Sequence, residues 1–129
     1  MTELPLDHVA VAVPSLAEAI PRHETVAGAR ATPIETLPSQ GVRVAFVGDL
    51  ELLEPIGPDT PVGRFLSRHG PGLHHVAYRT TDIERELKRL VAAGYEAIDP
   101  EPRIGARGHR VAFLHPRTTG KVLIELVER

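Results

Sequence analysis

The chain contains an internal repeat, and this repeat constrains its fold more than any other feature. Three pairs of segments match each other, two of them at a shared offset of 67 residues and the third at 74 residues. The pairs are Leu6–Val11 with Leu73–Tyr78, Gly41–Val47 with Gly108–Leu114, and Leu50–Leu53 with Val122–Leu126. The longer offset places extra residues in the Pro- and Gly-containing loop 115–120. Two matches at one spacing indicate a duplicated structural module.

Each half has the same predicted secondary structure. Alternating, valine-rich segments at the start of each half predict strands, and capping residues Ser15 and Asp82 each open a helix. The second helix is predicted over residues 83–92, whereas Pro21 should end the first after about two turns. Further strands are predicted near residues 31–37, 43–47 and 50–53, and near 96–98, 110–114 and 122–127. Thr60 and Pro61 open a short connecting helix, 62–68.

The predicted fold is therefore α+β, with two tandem βαβββ modules. We expect one domain over residues 1–129, because 129 residues are enough for one core and too few for two independent ones. Module 1 covers about 5–56, the connecting helix about 60–69, and module 2 about 72–128.

Composition narrows the classes of function. With 15 basic and 17 acidic residues, the chain lacks the excess positive charge expected of a nucleic-acid or membrane-surface protein. It has no cysteine, so disulfides, thiolate metal sites and cysteine nucleophiles are excluded. The first five residues lack the basic start and apolar stretch of a signal peptide, and we therefore expect a cytoplasmic location.

The duplication pairs His8 with His75 and Glu51 with Glu125. Each glutamate lies among aliphatic residues of a last strand, where burial without a partner would cost several kcal/mol. A single such glutamate could instead face water on one side of the sheet, and a single histidine could be purely structural. Recurrence at equivalent positions favours a shared role, because imidazole and carboxylate ligands suit divalent Mn, Fe, Co, Ni or Zn. The residues alone leave both interpretations open.

The sequence resembles the methylmalonyl-CoA epimerase family of the vicinal oxygen chelate (glyoxalase-like) superfamily, over nearly the whole chain. The motifs that carry the resemblance are 6-LDHVAVAV-13, 40-QGV-42, 51-ELLEP-55, 58-PDTP-61, 72-GLHHVA-77, 101-EPRIGA-106, 113-FLHP-116 and 120-GKVLIEL-126. The first histidine strand occurs across the superfamily, whereas the last three motifs together are more specific.

The resemblance implies a fold in which the two modules form a curved sheet around a divalent metal ion (Co, Ni, Mn or Zn). The implied ligands are His8, Glu51, His75 and Glu125, with His74 on the opposite face. The implied reaction interconverts the epimers of methylmalonyl-CoA through a metal-stabilised enolate. We expect Glu125 to transfer a proton on one side of the α-carbon, and Glu51 or a group near Gln40 on the other.

Further expectations concern partners and departures from the family. An acyl-CoA substrate and a homodimer are implied, with no nucleic-acid or membrane partner. Arg103, Arg107, Arg110 and Lys121 could meet the CoA phosphates, although scattered basic residues are more often ordinary surface. Some relatives carry a catalytic glutamate where this chain has Val44, so another group must replace it.

Two other classes of function remain as alternatives. One is another enzyme of the superfamily, such as a glyoxalase I-like lyase, or a dioxygenase with iron held by two histidines and one carboxylate. The other is a protein that sequesters small molecules in an aromatic groove, for which this chain has few aromatic residues.

Overall fold

The computed structural model of the protein describes residues 3–129. Met1 and Thr2, which belong to the segment used for the signal-peptide prediction, lie outside the described residues. The strands are β1 Leu6–Ala12, β2 Glu35–Leu37, β3 Val42–Val47, β4 Leu50–Pro55, β5 Gly72–Thr80, β6 Arg103–Ile104, β7 Arg110–Leu114 and β8 Ile124–Glu128. The helices are α1 Leu16–Ala27, α2 Pro61–His69 and α3 Ile83–Ala92. This order confirms the predicted βαβββ, helix, βαβββ arrangement.

The hydrogen-bonded strand order is β2-β3-β4-β1 in the first module and β5-β8-β7-β6 in the second. Strands β1 and β4 pair in parallel, as do β5 and β8, while the β2-β3-β4 and β6-β7-β8 pairs are antiparallel. No helix within residues 3–129 combines the length and apolar character needed to cross a bilayer. By their internal contacts the described residues divide into two compact units, Val9–His74 and the residues up to His8 together with His75–Arg129.

The prediction that Pro21 ends the first helix is wrong. Helix α1 continues through Pro21 to Ala27, where Gly28 closes it in a left-handed conformation. Ser15 caps its start, and its buried face packs against β3 and β4 through Leu16 and Ala19. Because Pro21 lies on the exposed side, the missing N–H costs one hydrogen bond on the solvent-facing surface, where helices tolerate bending.

The second predicted strand of each module is also misplaced. Residues 96–98 form only an isolated bridge, Ala97 with Leu114, and the short strand β6 takes their place. Residues 31–34 lie outside β2. In both places a side-chain oxygen, and not a strand carbonyl, accepts a hydrogen bond from a backbone N–H of the neighbouring strand. Thr32 Oγ1 accepts from the Phe46 N–H at 2.9 Å, and Asp99 Oδ2 from the Phe113 N–H at 3.0 Å.

In unit 9–74 a glutamate fixes the start of α1 to the last strand of its module. Glu54 Oε2 accepts a hydrogen bond from the Leu16 N–H at 2.8 Å, and Arg43 Nε donates to Glu54 Oε1 at 2.8 Å. The helix N-terminus has unpaired N–H groups and a positive dipole end, so a carboxylate stabilises it. Arginine in turn neutralises the carboxylate.

The other unit repeats this arrangement at the equivalent positions. Glu128 Oε2 accepts from the Ile83 N–H of α3 at 3.0 Å, and Arg110 Nε donates to Glu128 Oε1 at 3.0 Å. Glu128 follows Glu125 by three positions in β8, so the two side chains lie on opposite faces of the strand. One face of β8 therefore holds the helix, and the other is available for Glu125.

Candidate metal centre

The four predicted ligands come from four strands and are all buried. His8 lies in β1, Glu51 in β4, His75 in β5 and Glu125 in β8, and each is only 5–6% exposed. The ligand atoms of His8, His75 and Glu125, which belong to one compact unit, lie within 4.8 Å of one another. The structure thus brings His8, His75 and Glu125 together in one unit, and Glu51 is buried at the position equivalent to Glu125 in unit 9–74.

Asp7 holds the ring of His8 in a defined orientation. Asp7 Oδ2 lies 2.7 Å from His8 Nδ1, and Arg129 Nη1 donates to Asp7 Oδ1 at 2.8 Å. Burial raises the pKa of Asp7, but the hydrogen bonds and charges of His8 and Arg129 outweigh it and hold the pKa below the ordinary 3.8. Asp7 is therefore a carboxylate at neutral pH, which accepts hydrogen bonds and cannot donate one. His8 Nδ1 therefore donates to Asp7, so whenever the ring is neutral its lone pair lies on Nε2.

The side chain of Glu125 lies between the two imidazoles. Its Oε1 is 3.0 Å from His8 Nε2 and 3.3 Å from His75 Nε2. A carboxylate oxygen and a neutral imidazole nitrogen are both acceptors, so such close contacts require a positive charge, either a proton or a metal ion. Neighbouring ligands of an octahedral ion with bonds of about 2.1 Å lie roughly 3 Å apart. The donor set and its spacing therefore fit a divalent cation.

Apolar side chains hold this cluster in place within residues 75–129. The ring of Phe113 meets the ring of His75 edge to face, with centroids 5.3 Å apart, and Phe113 pairs directly with Glu125 across β7 and β8. Ala77, Val111 and Val127 form a buried group beside them. Such surroundings exclude water and strengthen the electrostatic interactions at the carboxylate.

Two other residues from the sequence analysis, His74 and Arg110, have the following contacts. His74 contacts the ring of Phe65 in α2 at a centroid distance of 4.9 Å. Arg110 is held by Glu84 and Glu128, which raise its pKa further. It is therefore a structural residue and an unsuitable phosphate ligand.

The other three basic residues differ in their backbone conformation and in their partners. Arg103 lies 3.4 Å from Asp99. Arg107 and Lys121 are exposed and adopt positive φ angles of 60° and 73°. Among residues 3–129, Lys121 makes no ion pair with any side chain. Val44 is buried in β3, so it contributes only apolar surface.

Sequence reasoning missed the role of Asp7. The signal was present as the Asp7-His8 dipeptide, because a carboxylate beside a ligand histidine can orient its ring. The second module has His74 at the equivalent position, so the repeat gave no second instance of the pattern.

Comparisons with known proteins agree with this geometry. Residues 7–113 match the model of the Glyoxalase/Bleomycin resistance protein/Dioxygenase superfamily. The mitochondrial methylmalonyl-CoA epimerase of Dictyostelium discoideum is 39% identical, over 96% of this chain and 78% of that protein. The ethylmalonyl-CoA/methylmalonyl-CoA epimerase of Cereibacter sphaeroides is 38% identical, over 94% of this chain and 95% of its own length.

A solved structure extends the likeness to the fold. A variant of Streptomyces coelicolor methylmalonyl-CoA epimerase in complex with 2-nitronate-propionyl-CoA matches with a TM-score of 0.92. It is 32% identical, and the match covers 98% of this chain and 95% of that one. This match confirms the predicted vicinal oxygen chelate fold. The chain therefore belongs to the methylmalonyl-CoA epimerase family of the glyoxalase superfamily.

Proposed function

We propose that this protein is a methylmalonyl-CoA epimerase that removes a proton from the α-carbon and returns one to its opposite side. The observation that carries this proposal is the buried cluster in which Glu125 Oε1 lies 3.0 Å and 3.3 Å from the Nε2 atoms of His8 and His75. The names of the relatives and the acyl-CoA analogue bound to the Streptomyces coelicolor protein support the same reaction.

The proposed ligands of the divalent ion are His8, Glu51, His75 and Glu125. A bound ion would act as a Lewis acid on the thioester carbonyl and the carboxylate of the substrate, stabilising the enolate by several kcal/mol. The identity of the ion is proposed only as Co, Ni, Mn or Zn. Asp7 keeps the Nε2 lone pair of His8 directed at the site, and the apolar residues beside Glu125 limit access of water.

Inversion at the α-carbon needs a proton acceptor on one side and a proton donor on the other. We assign Glu125 to one side, because it is buried next to both imidazoles. Glu51, its counterpart in the first module, is our first assignment for the other side. Ligation lowers the basicity of a carboxylate, so one of the two glutamates would have to leave the ion to act.

The substrate class is a malonyl-type thioester of coenzyme A. The sequence suggested four basic residues for the phosphates of this substrate. Arg107 and Lys121 are the exposed ones, whereas Arg110 is engaged by Glu84 and Glu128. We also propose a homodimer and a cytoplasmic location. Sheet edges left at module ends would favour association.

The test is an epimerisation assay on the purified protein with methylmalonyl-CoA and ethylmalonyl-CoA, run beside the glutathione hemithioacetal of methylglyoxal. We expect inversion of a malonyl-type thioester and no turnover of the hemithioacetal. Turnover of the hemithioacetal alone would identify a glyoxalase I-like lyase. Binding of small molecules without turnover, in a protein purified without metal, would identify a sequestering protein.

A pair of variants tests the proton-transfer assignment. Glu125→Gln should abolish deuterium wash-in from solvent at the α-carbon of one epimer, whereas Glu101→Gln, in an exposed loop, should leave it unchanged. Normal wash-in by Glu125→Gln with metal still bound would refute the role of Glu125.

A further inference from the structure

The two carboxylate oxygens of Asp7 have different partners. Oδ2 lies 2.7 Å from Nδ1 of His8, and Oδ1 accepts a hydrogen bond from Nη1 of Arg129 at 2.8 Å. Nη1 of Arg79 lies 3.7 Å from the same Oδ1. All four residues belong to one compact unit. One oxygen of Asp7 therefore faces a proposed metal ligand, and the other faces two arginines.

The carboxylate of Asp7 needs contacts on both oxygens to hold one orientation. The terminal torsion of an aspartate side chain has a broad energy profile, so rotamer preference alone does not fix the plane of its carboxylate. The Asp7 side chain is only 6% exposed, so water can supply little of the missing restraint. A guanidinium that donates to Oδ1 therefore fixes the plane in which Oδ2 meets His8.

The backbone holds Arg129 at the position that this contact requires. Thr80 of β5 lies opposite Glu128 of β8 in the parallel pair, and the Arg129 N–H continues this ladder by donating to the Thr80 carbonyl at 3.0 Å. The Arg79 N–H donates to the Pro5 carbonyl at 2.8 Å, just before β1. The base of the Arg129 side chain is thus fixed by the same strands that carry the proposed ligands of this unit.

Exposure separates a positioning role for Arg129 from a role in stability. The Arg129 side chain is 37% exposed, and ion pairs in contact with water contribute little to the free energy of folding. Arg110, in contrast, is held by both Glu84 and Glu128. We therefore expect the main consequence of Arg129 to lie in the orientation of His8.

We propose that Arg129 is a positioning residue for His8, acting through Asp7; this inference rests on the metal site of the proposed function. The Arg129 guanidinium holds Asp7 in the plane from which Oδ2 accepts the hydrogen bond of His8 Nδ1, and Nε2 is thereby directed at His75 and Glu125. Without Arg129 the carboxylate can turn, and a smaller fraction of the protein holds His8 ready to bind metal. The apparent metal affinity falls by that fraction.

The experiment is a double-mutant cycle in Co²⁺ affinity, measured by competition with a coloured chelator. Loss of a group that directly orients a ligand histidine costs about 10- to 100-fold in metal affinity, and Arg129 acts one step further out, so we expect about a 3- to 10-fold loss for Arg129→Gln. Arg129→Lys keeps the charge and should lose less, as should Arg79→Gln at the longer contact. In an Asp7→Ala background, Arg129→Gln should cost no more than about 2-fold, because its route to His8 is already lost.

Arg110→Gln is the matched control for a purely structural arginine. It is the same substitution in the same unit, and it removes the contacts of Arg110 with Glu84 and Glu128. Its unfolding midpoint in urea should fall, whereas its Co²⁺ affinity should equal that of the wild-type protein. Arg129→Gln should show the opposite pattern.

Wild-type Co²⁺ affinity in Arg129→Gln would overturn the role of Arg129 while leaving the metal site intact. An equal loss of affinity in the wild-type and Asp7→Ala backgrounds would also overturn it, because the effect would not pass through Asp7. If the wild-type protein binds no Co²⁺, the proposed metal site fails and the role of Arg129 fails with it. Coupling between Arg129 and Asp7 in a protein that inverts no malonyl-type thioester would support this role and refute the proposed reaction.

Discussion

Replacement of Asp7 should weaken metal binding without dismantling the site. Asp7→Asn keeps the size of the side chain, and its amide oxygen can still accept from His8 Nδ1, but the negative charge that makes Nε2 a better ligand is removed. Changes of this kind to a residue that orients a ligand histidine cost 10- to 100-fold in metal affinity, or about 1.4–2.7 kcal/mol. We place Asp7→Ala at the upper end, because it also removes the acceptor that lies 2.7 Å from His8 and 2.8 Å from Arg129.

The assay is competition between each variant and a coloured chelator for Co²⁺, with the absorption spectrum of bound Co²⁺ as a second readout of ligand geometry. Asp59→Asn is the control, since the Asp59 side chain is fully exposed and pairs with Arg64. Folded Asp7 variants that bind Co²⁺ as tightly as Asp59→Asn, with the wild-type spectrum, would refute this account of Asp7.

Three further predictions concern the scaffold. Glu128→Ala removes the carboxylate that accepts from the Ile83 N–H at the start of α3 and that pairs with Arg110, so it should lower the free energy of unfolding by about 1–2 kcal/mol in urea; no loss would contradict this role of Glu128. Ile83→Ala should cost about 2–5 kcal/mol in the same titration, because Ile83 is 0% exposed, and an effect below 1 kcal/mol would show that the core around it adjusts freely. The Arg110 hydrogen bond and nearby charges lower the pKa of Glu84 from 4.5, so the stability gained from this pair should be full above pH 4.5 and disappear as pH falls through the lower folded-state pKa. The unfolding midpoints of wild type and Glu84→Gln are measured from pH 7 to 2.5. Their difference should shrink as the pH falls, and a constant difference would contradict the predicted contribution of this pair.

Much of the fold followed from the repeat. The order of elements and the bounds of α3 were predictable because its cap, its apolar stripe and its stop signal agree, which makes local and tertiary preferences consistent. The same repeat singled out His8, His75 and Glu125, which lie together in one unit of the structure.

The errors arose where tertiary contacts overrode local preference. Burial of one face of α1 and its contact with Glu54 keep the helix intact through Pro21. Thr32 and Asp99 supply side-chain oxygens to neighbouring strands, which periodicity alone does not reveal.

The central claim is that the buried histidines and glutamates bind one divalent ion on which epimerisation depends. The most direct measurement is the rate of methylmalonyl-CoA epimerisation by chelator-treated protein during titration with Co²⁺. The account predicts negligible activity in the metal-free protein and a rise to a plateau at one ion per chain. Full activity in the metal-free protein would contradict it.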